Sequence, residues 1–243
     1  VVKPHVVSLS VQTPPQYRLV NIISGWVVFL IAAIVYISTL EPTASFWDCG
    51  EYIACAWGLE SGHPPGAPFF LILARVFGLL SFGNNMDVAW WVNCMSGLAS
   101  AATVMFLFWT ITHLARKIVL SKHEKFSQGR MVLIMIAGMC GALTYAFTDS
   151  FWFSAVEGEV YALSSLFTAM VFWAMLKWEE QADEASSDRW IVFIAALIGL
   201  SIGVHLLNLL TIPALVFIWY FRRTSKITIA GLLKTFVVAV ILL

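Results

Sequence analysis

The sequence predicts an all-α protein that crosses a membrane several times. Three observations carry this. Hydrophobic residues make up 60% of the chain and charged residues only 12%, with a mean hydropathy of +0.85; in a soluble domain about a quarter of the residues are charged. The apolar residues fall into runs close to the ~20 residues that a spanning helix needs. The basic residues other than Arg75 and Lys234 gather at the ends of these runs rather than within them. The formal net charge is zero, and nothing points to nucleic acid. Cys49, Cys55, Cys94 and Cys140 show no metal-ligand spacing. Cys49 and Cys55 point to different faces of a helix, so no disulfide is expected.

Taken in order, residues 1–19 form a tail and residues 20–243 a membrane domain. The run 20–40 is the first pass; it lacks a small-residue cleavage site and is long enough to span, so it is not a signal peptide. A polar loop follows. The run 67–82 is short, begins after Pro64, Pro65 and Pro68, and carries Arg75, which suggests an interfacial or re-entrant helix. Runs 88–115, 131–148 and 160–177 are passes. Between Arg189 and Arg222 the chain must cross twice, in halves of roughly 16 residues or 24 Å at about 1.5 Å per residue. Its apex, His205 to Asn208, is then recessed, and irregular backbone at that depth is tolerated only beside protein or a water-filled cavity. The run 227–243 comes last, for about seven passes plus the 67–82 helix. The chain begins at Val1 and stops inside the apolar run Phe236–Leu243, so it is expected to be a piece of a longer protein.

Charge selects the sidedness. If 67–82 does not cross, the clusters Lys3/Arg18, Arg116–Arg130, Lys177/Arg189 and Arg222–Lys234 all share one side, with Arg75 alone on the other. Basic residues collect on the cytoplasmic side, so the N-terminus is placed there. Lys122 and Lys226 then face the cytoplasm, and Asp48, Asp149 and Glu157 the outside. Glu179, Glu180, Asp183, Glu184 and Asp188 are expected in a solvated cytoplasmic loop.

The polar loops of the outer side hold the candidate chemistry. FWDCGEYIACAWGLESGHPPGAP places Asp48, Glu51, Glu60 and His63 within sixteen residues. Ionisable groups beside a bilayer are costly and point to function. Asp48 and Glu51 share a helix face with Tyr52; the functional reading is a catalytic pair, the structural one a capping box. The turn GHPPGAP would hold His63 over the site to bind phosphate or a leaving group. Glu157 and Glu159 either bind an acceptor or a divalent metal, or complement a helix dipole. Arg75 either grips an anionic head group or snorkels from an interfacial helix, and His205 and Asn208 either line the site or make a helix–helix hydrogen bond in lipid. No P-loop, Rossmann fingerprint, HExxH or GxSxG occurs.

FWDCGEY, GHPPGAP, AVEGEVYAL and HLLNLL, in that order, resemble the GT-C superfamily of polyprenyl-phosphate-sugar glycosyltransferases. Within it they resemble a family of bacterial membrane proteins related to the vertebrate transmembrane protein O-mannosyltransferase. The resemblance implies a GT-C-like fold with a large first outer loop containing juxtamembrane helices. It implies transfer of a sugar from a polyprenyl-phosphate donor to an acceptor hydroxyl, serine or threonine of a translocated protein, at the outer face of a bacterial cytoplasmic membrane. Asp48 matches the acidic base of the first loop, and Glu157 and Glu159 a second acidic motif. Gly66 follows Pro65 where protein O-mannosyltransferases carry leucine. A divalent metal stays open as a cofactor, and other membrane subunits as partners. The rival readings are a transporter or channel subunit, for which an acidic vestibule would serve as a cation path, and a non-catalytic scaffold in a membrane complex.

Overall fold

The computed structural model describes residues 15–120 and 126–243, and all regular structure among them is helical. Five helical stretches are long and apolar enough to cross a membrane: Gln16–Ser38, Asn85–Leu120, Gln128–Ala146, Val160–Gln181 and Leu206–Arg223. The chain is a multi-pass membrane protein. The expectations for residues 1–14 and for Lys122 lie outside the described residues.

The helices are α1 (Pro15–Ser38), α2 (Cys49–Gly58), α3 (Pro68–Gly78), α4 (Val88–Leu120), α5 (Gln128–Ala146), α6 (Asp149–Ala155), α7 (Val160–Gln181), α8 (Asp188–Ile202), α9 (Ile212–Arg223) and α10 (Ile229–Leu242). A 3-10 segment, Leu206–Thr211, joins α8 to α9. The hub is α4, against which α1, α5 and α7 pack along their lengths, with α2, α3 and α6 also in contact with it. Apolar residues surround α4 on all sides, as befits a helix covered by neighbours. Small residues let α5 come close. A Cβ added at Gly138 would stand 2.6 Å from Thr112 Cγ2 and 2.9 Å from the Phe108 ring, so glycine permits the contact.

Two apolar cores flank the hub. One, around Phe70, Val92, Phe167 and Trp178, ties α2 and α3 to α4, α7 and α8. The other, around Val28, Tyr36, Phe108 and Ile134, joins α1, α4, α5 and α6. Tyr36 is fully buried and donates its hydroxyl to the carbonyl of Ala146 at 2.8 Å, satisfying a carbonyl left free at the end of α5.

The two ends of the bundle differ in chemistry. At one end Arg116 pairs with Glu180 and Lys117 with Glu179. Arg222 donates Nε to the Glu179 carbonyl at 3.0 Å and pairs with Asp183. This corrects the expected solvated loop for Glu179 and Glu180; Asp183 and Glu184 lie exposed past the end of α7, and Asp188 is exposed at the start of α8. The seventh helix continues through Gln181, and its acidic last turn locks α4 and α9 onto it. At the other end Glu41 N–H donates to Val156 C=O at 3.0 Å, and buried Asn93 donates Nδ2 to the carbonyls of Glu41 (2.6 Å) and Thr43 (3.0 Å). Phe69 N–H donates to Gly203 C=O at 2.7 Å. Loop 40–48 is therefore stapled to loop 156–159 and to α4, and the start of α3 to the joint at 203–205.

The α3 helix has 11 residues, roughly 16 Å at about 1.5 Å per residue, or about half a bilayer core. Its first turn meets Gly203, and its last residue, Gly78, lies against Trp57 and Val88. Both ends adjoin residues of the acidic end. The short helix α6 was not anticipated from the sequence.

Candidate functional site

The second helix is what presents the acidic pair. Asp48 occupies its N-cap position, yet its side chain makes no capping hydrogen bond. The residue before it, Trp47, holds φ +61°, a backbone uncommon for a bulky side chain and concentrated at functional sites. One turn on, Glu51 does not reach back to close a capping box. It reaches across to the proline turn instead. His63 donates its backbone N–H to Glu51 Oε1 at 2.6 Å, and its ring Nδ1 lies 3.1 Å from Glu51 Oε2. The opposite ring nitrogen, Nε2, lies 3.8 Å from Asp48 Oδ2. The helix-capping role open to both carboxylates is thus unused.

The turn is shaped for this contact. Gly66 N–H donates to His63 C=O at 2.9 Å, closing a tight turn over a cis Pro64–Pro65 peptide, and Gly66 sits at φ +72°, where a side chain would be strained. A Cβ at Gly62 would stand 3.1 Å from Glu51 Oε1, so glycine also clears the approach of the carboxylate. Tyr52 backs the array, its ring 5.8 Å from that of His63 and 5.3 Å from that of Phe70 on α3.

Beneath these exposed groups lie two buried carboxylates. Glu159 is 5% exposed and caps α7 by accepting Val160 N–H at 3.3 Å. Burial pushes its pKa up to about 7, the Val160 bond opposes this, Glu157 and Asp48 add to it, and His63 opposes it. Glu157 is 4% exposed, and burial raises its pKa against a hydrogen bond from Ser45. The bonds from His63 hold the Glu51 carboxyl below the usual range. The hydrogen bond and charge of Glu51 raise His63, burial opposes, and Asp48 and Glu159 add to the rise. Neighbouring carboxylates with pKa values pushed in opposite directions are what acid–base chemistry needs. Asp48, Glu51 and His63 also bring ligand-type atoms within 4.8 Å of one another. In this geometry, however, Glu51 is already bonded to the histidine rather than turned toward an ion.

The structure therefore brings together Asp48, Glu51 and His63, with Glu159 coupled to them electrostatically and Glu157 beside it. It does not bring Arg75 to them. Arg75 donates Nη1 to the Trp57 carbonyl at 2.6 Å, with its guanidinium 4.2 Å from the centre of the Trp57 ring, and so fastens α3 to the end of α2. A charge-assisted hydrogen bond contributes about 1.5–3 kcal/mol. Arg75→Ala is expected to lower the thermal midpoint of the purified protein by several degrees, measured by fluorescence melting.

His205 and Asn208 also have structural partners. Asn208 is fully buried, donates Nδ2 to Ser201 Oγ at 2.7 Å and accepts from Thr168 Oγ1 at 3.1 Å. His205 Nδ1 accepts Leu207 N–H at 3.1 Å, and the ring packs on Tyr161. Asn93 was missed from sequence, although a lone asparagine in an apolar helix signals an internal partner. All four cysteines are free.

A family profile described as the N-terminal domain of protein O-mannosyl-transferase TMEM260 matches residues 48–228. The chain belongs to this family. The match begins at Asp48 and contains every site residue named above. The Dictyostelium discoideum protein O-mannosyl-transferase tmem260 is 25% identical over 197 residues, covering 76% of this chain and 22% of that protein. The mouse protein O-mannosyl-transferase TMEM260 is 30% identical over 186 residues, covering 76% of this chain and 23% of its own. The chain thus spans less than a quarter of these relatives. No solved structure matches it.

Proposed function

We propose that this chain carries the acceptor-activating site of a GT-C-type membrane glycosyltransferase. The enzyme moves a sugar, mannose by the names of its relatives, from a polyprenyl-phosphate donor to a serine or threonine hydroxyl of a protein. The observation that carries the reading is Asp48, a carboxylate at a helix start that is not used as a cap, facing a clamped histidine at one end of a membrane bundle. In the reaction the acceptor oxygen attacks the anomeric carbon as its proton passes to the Asp48 carboxylate. The bond from that carbon to the phosphate oxygen breaks, and its electron pair leaves with the lipid phosphate. Base assistance contributes about 10²–10⁴ in rate.

The acidic end is the outer one and the ion-paired end is cytoplasmic, as basic clustering requires. The α3 helix lies at the interface or re-enters without crossing. Charged groups at helix ends rather than mid-membrane favour this reading over a cation path. Transfer of radiolabelled mannose from polyprenyl phosphate, but not from a nucleotide sugar, to a serine-rich peptide tests the function. The sidedness is checked by maleimide labelling of single cysteines in a cysteine-free background. Position 149 should label from outside and position 226 only after permeabilisation; the reverse pattern refutes it.

A further inference from the structure

The carboxylate of Glu51 does two things at once. One oxygen holds the backbone of the proline turn and the other holds the ring of the histidine on it. We propose that Glu51 is a positioning residue that acts through His63: it pins the turn, accepts Nδ1–H of the protonated ring, and thereby aims Nε2–H at Asp48 and at the phosphate of the donor. This rests on the proposed transferase function and assigns the roles within its site.

The geometry argues for the division. A histidine with a carboxylate on Nδ1–H can offer only Nε2 to a second group, and in the protonated ring Nε2–H is the donor that remains. Nε2 faces Asp48 at 3.8 Å, a gap that closes when a substrate orders the array. The groups around His63 are Glu51 and Asp48 from the start of α2, Glu159 from the start of α7, and the Tyr52 phenol. The Glu51 and Asp48 carboxylates favour the protonated ring, and Glu159, whose pKa burial lifts to about 7, adds to this as it ionises. A cation is therefore built into a vestibule of carboxylates, where an incoming lipid phosphate would otherwise be repelled. Arg75 cannot supply it while bonded to Trp57. The clamp also explains why Gly62, and not a larger residue, precedes His63: its Cβ would crowd the oxygen that holds the turn.

Glu51→Gln tests this cleanly. Its amide oxygen can still accept the backbone N–H, so the turn is kept. Its amide nitrogen then donates to Nδ1, which requires the neutral ring with its single proton on Nε2. In the full-length protein, kcat for sugar transfer should fall about 10²-fold or more, as when the orienting carboxylate of a histidine is exchanged for its amide. The double variant Glu51→Gln/His63→Gln should be no slower than His63→Gln alone, because residues that act as a unit are not additive. Glu51→Asp, one methylene shorter, should lose one of the two bonds and shift kcat in the same direction. Independently of activity, the pH midpoint of His63 modification by diethylpyrocarbonate, read by peptide mass spectrometry, should move down in Glu51→Gln. Multiplicative losses in the double variant, or an unchanged His63 midpoint in both Glu51 variants, overturn the proposal. If the unaltered protein transfers no sugar, the proposed function fails, and the His63 midpoint still decides the clamp.

Discussion

Asp48→Asn is expected to abolish sugar transfer while donor binding survives. The exchange preserves size and leaves α2 intact, since the Asp48 side chain makes no capping bond that asparagine would have to replace. What it removes is the capacity to take the acceptor proton, a loss of about 10²–10⁴ in kcat. Donor affinity should change little, because the phosphate is met by His63, which keeps its bond to Glu51. Single-turnover transfer and equilibrium binding of a non-transferable polyprenyl-phosphate analogue separate the two effects. A variant with kcat within about ten-fold of the parent removes Asp48 from the chemistry. Loss of analogue binding together with kcat moves Asp48 to the donor side.

Glu159→Gln should stabilise the protein in alkaline solution and leave it unchanged in acid. Burial of Glu159, opposed by its Val160 bond, lifts its pKa from an ordinary 4.5 to about 7. The folded state then holds a proton that the unfolded chain releases, so stability is fully present below pH ~4.5 and is lost as pH rises through about 7. A tenfold difference in proton affinity between the folded and unfolded chain is worth about 1.4 kcal/mol. The charged group therefore costs on the order of 3 kcal/mol above pH 8. Glutamine keeps the acceptor for Val160 N–H and has no charge to bury. Thermal midpoints measured from pH 5 to pH 9 should fall with pH in the parent and stay nearly level in the variant. Parallel curves would show that Glu159 is not buried as a neutral acid, and it would then serve better as a second anionic partner of His63.

The sequence was enough to settle that this is a helical membrane protein and roughly where its helices lie. Apolar runs must be about bilayer length, and the polar segments between them have nowhere to go but the ends. The expected runs 20–40, 88–115, 131–148 and 160–177 correspond to α1, α4, α5 and α7 within a few residues. The expected apex, His205 to Asn208, overlaps the joint of α8 and the 3-10 segment, which begins two residues earlier, at Gly203. The acidic loops were conspicuous because charge is rare here, and that rarity made Asp48, Glu51, His63, Glu157 and Glu159 legible as candidates.

Roles were not legible, because they depend on partners far apart in sequence. The D-x-x-E spacing of Asp48 and Glu51 suits a capping box and a catalytic pair equally; only the fold shows Glu51 turned to a histidine twelve residues on. By sequence Arg75 suits a head-group grip or a snorkelling side chain; in the fold its guanidinium lies over the Trp57 ring. By sequence Asn208 suits a site lining or a helix–helix hydrogen bond equally; in the fold it bonds Thr168 on one side and Ser201 on the other. The acidic turn of Glu179 and Glu180 looked like loop, because composition registers charge but not the arginine and lysine packed opposite. A side chain's type limits which bonds it can make, and the tertiary structure alone decides which partner comes within about 3 Å to make them.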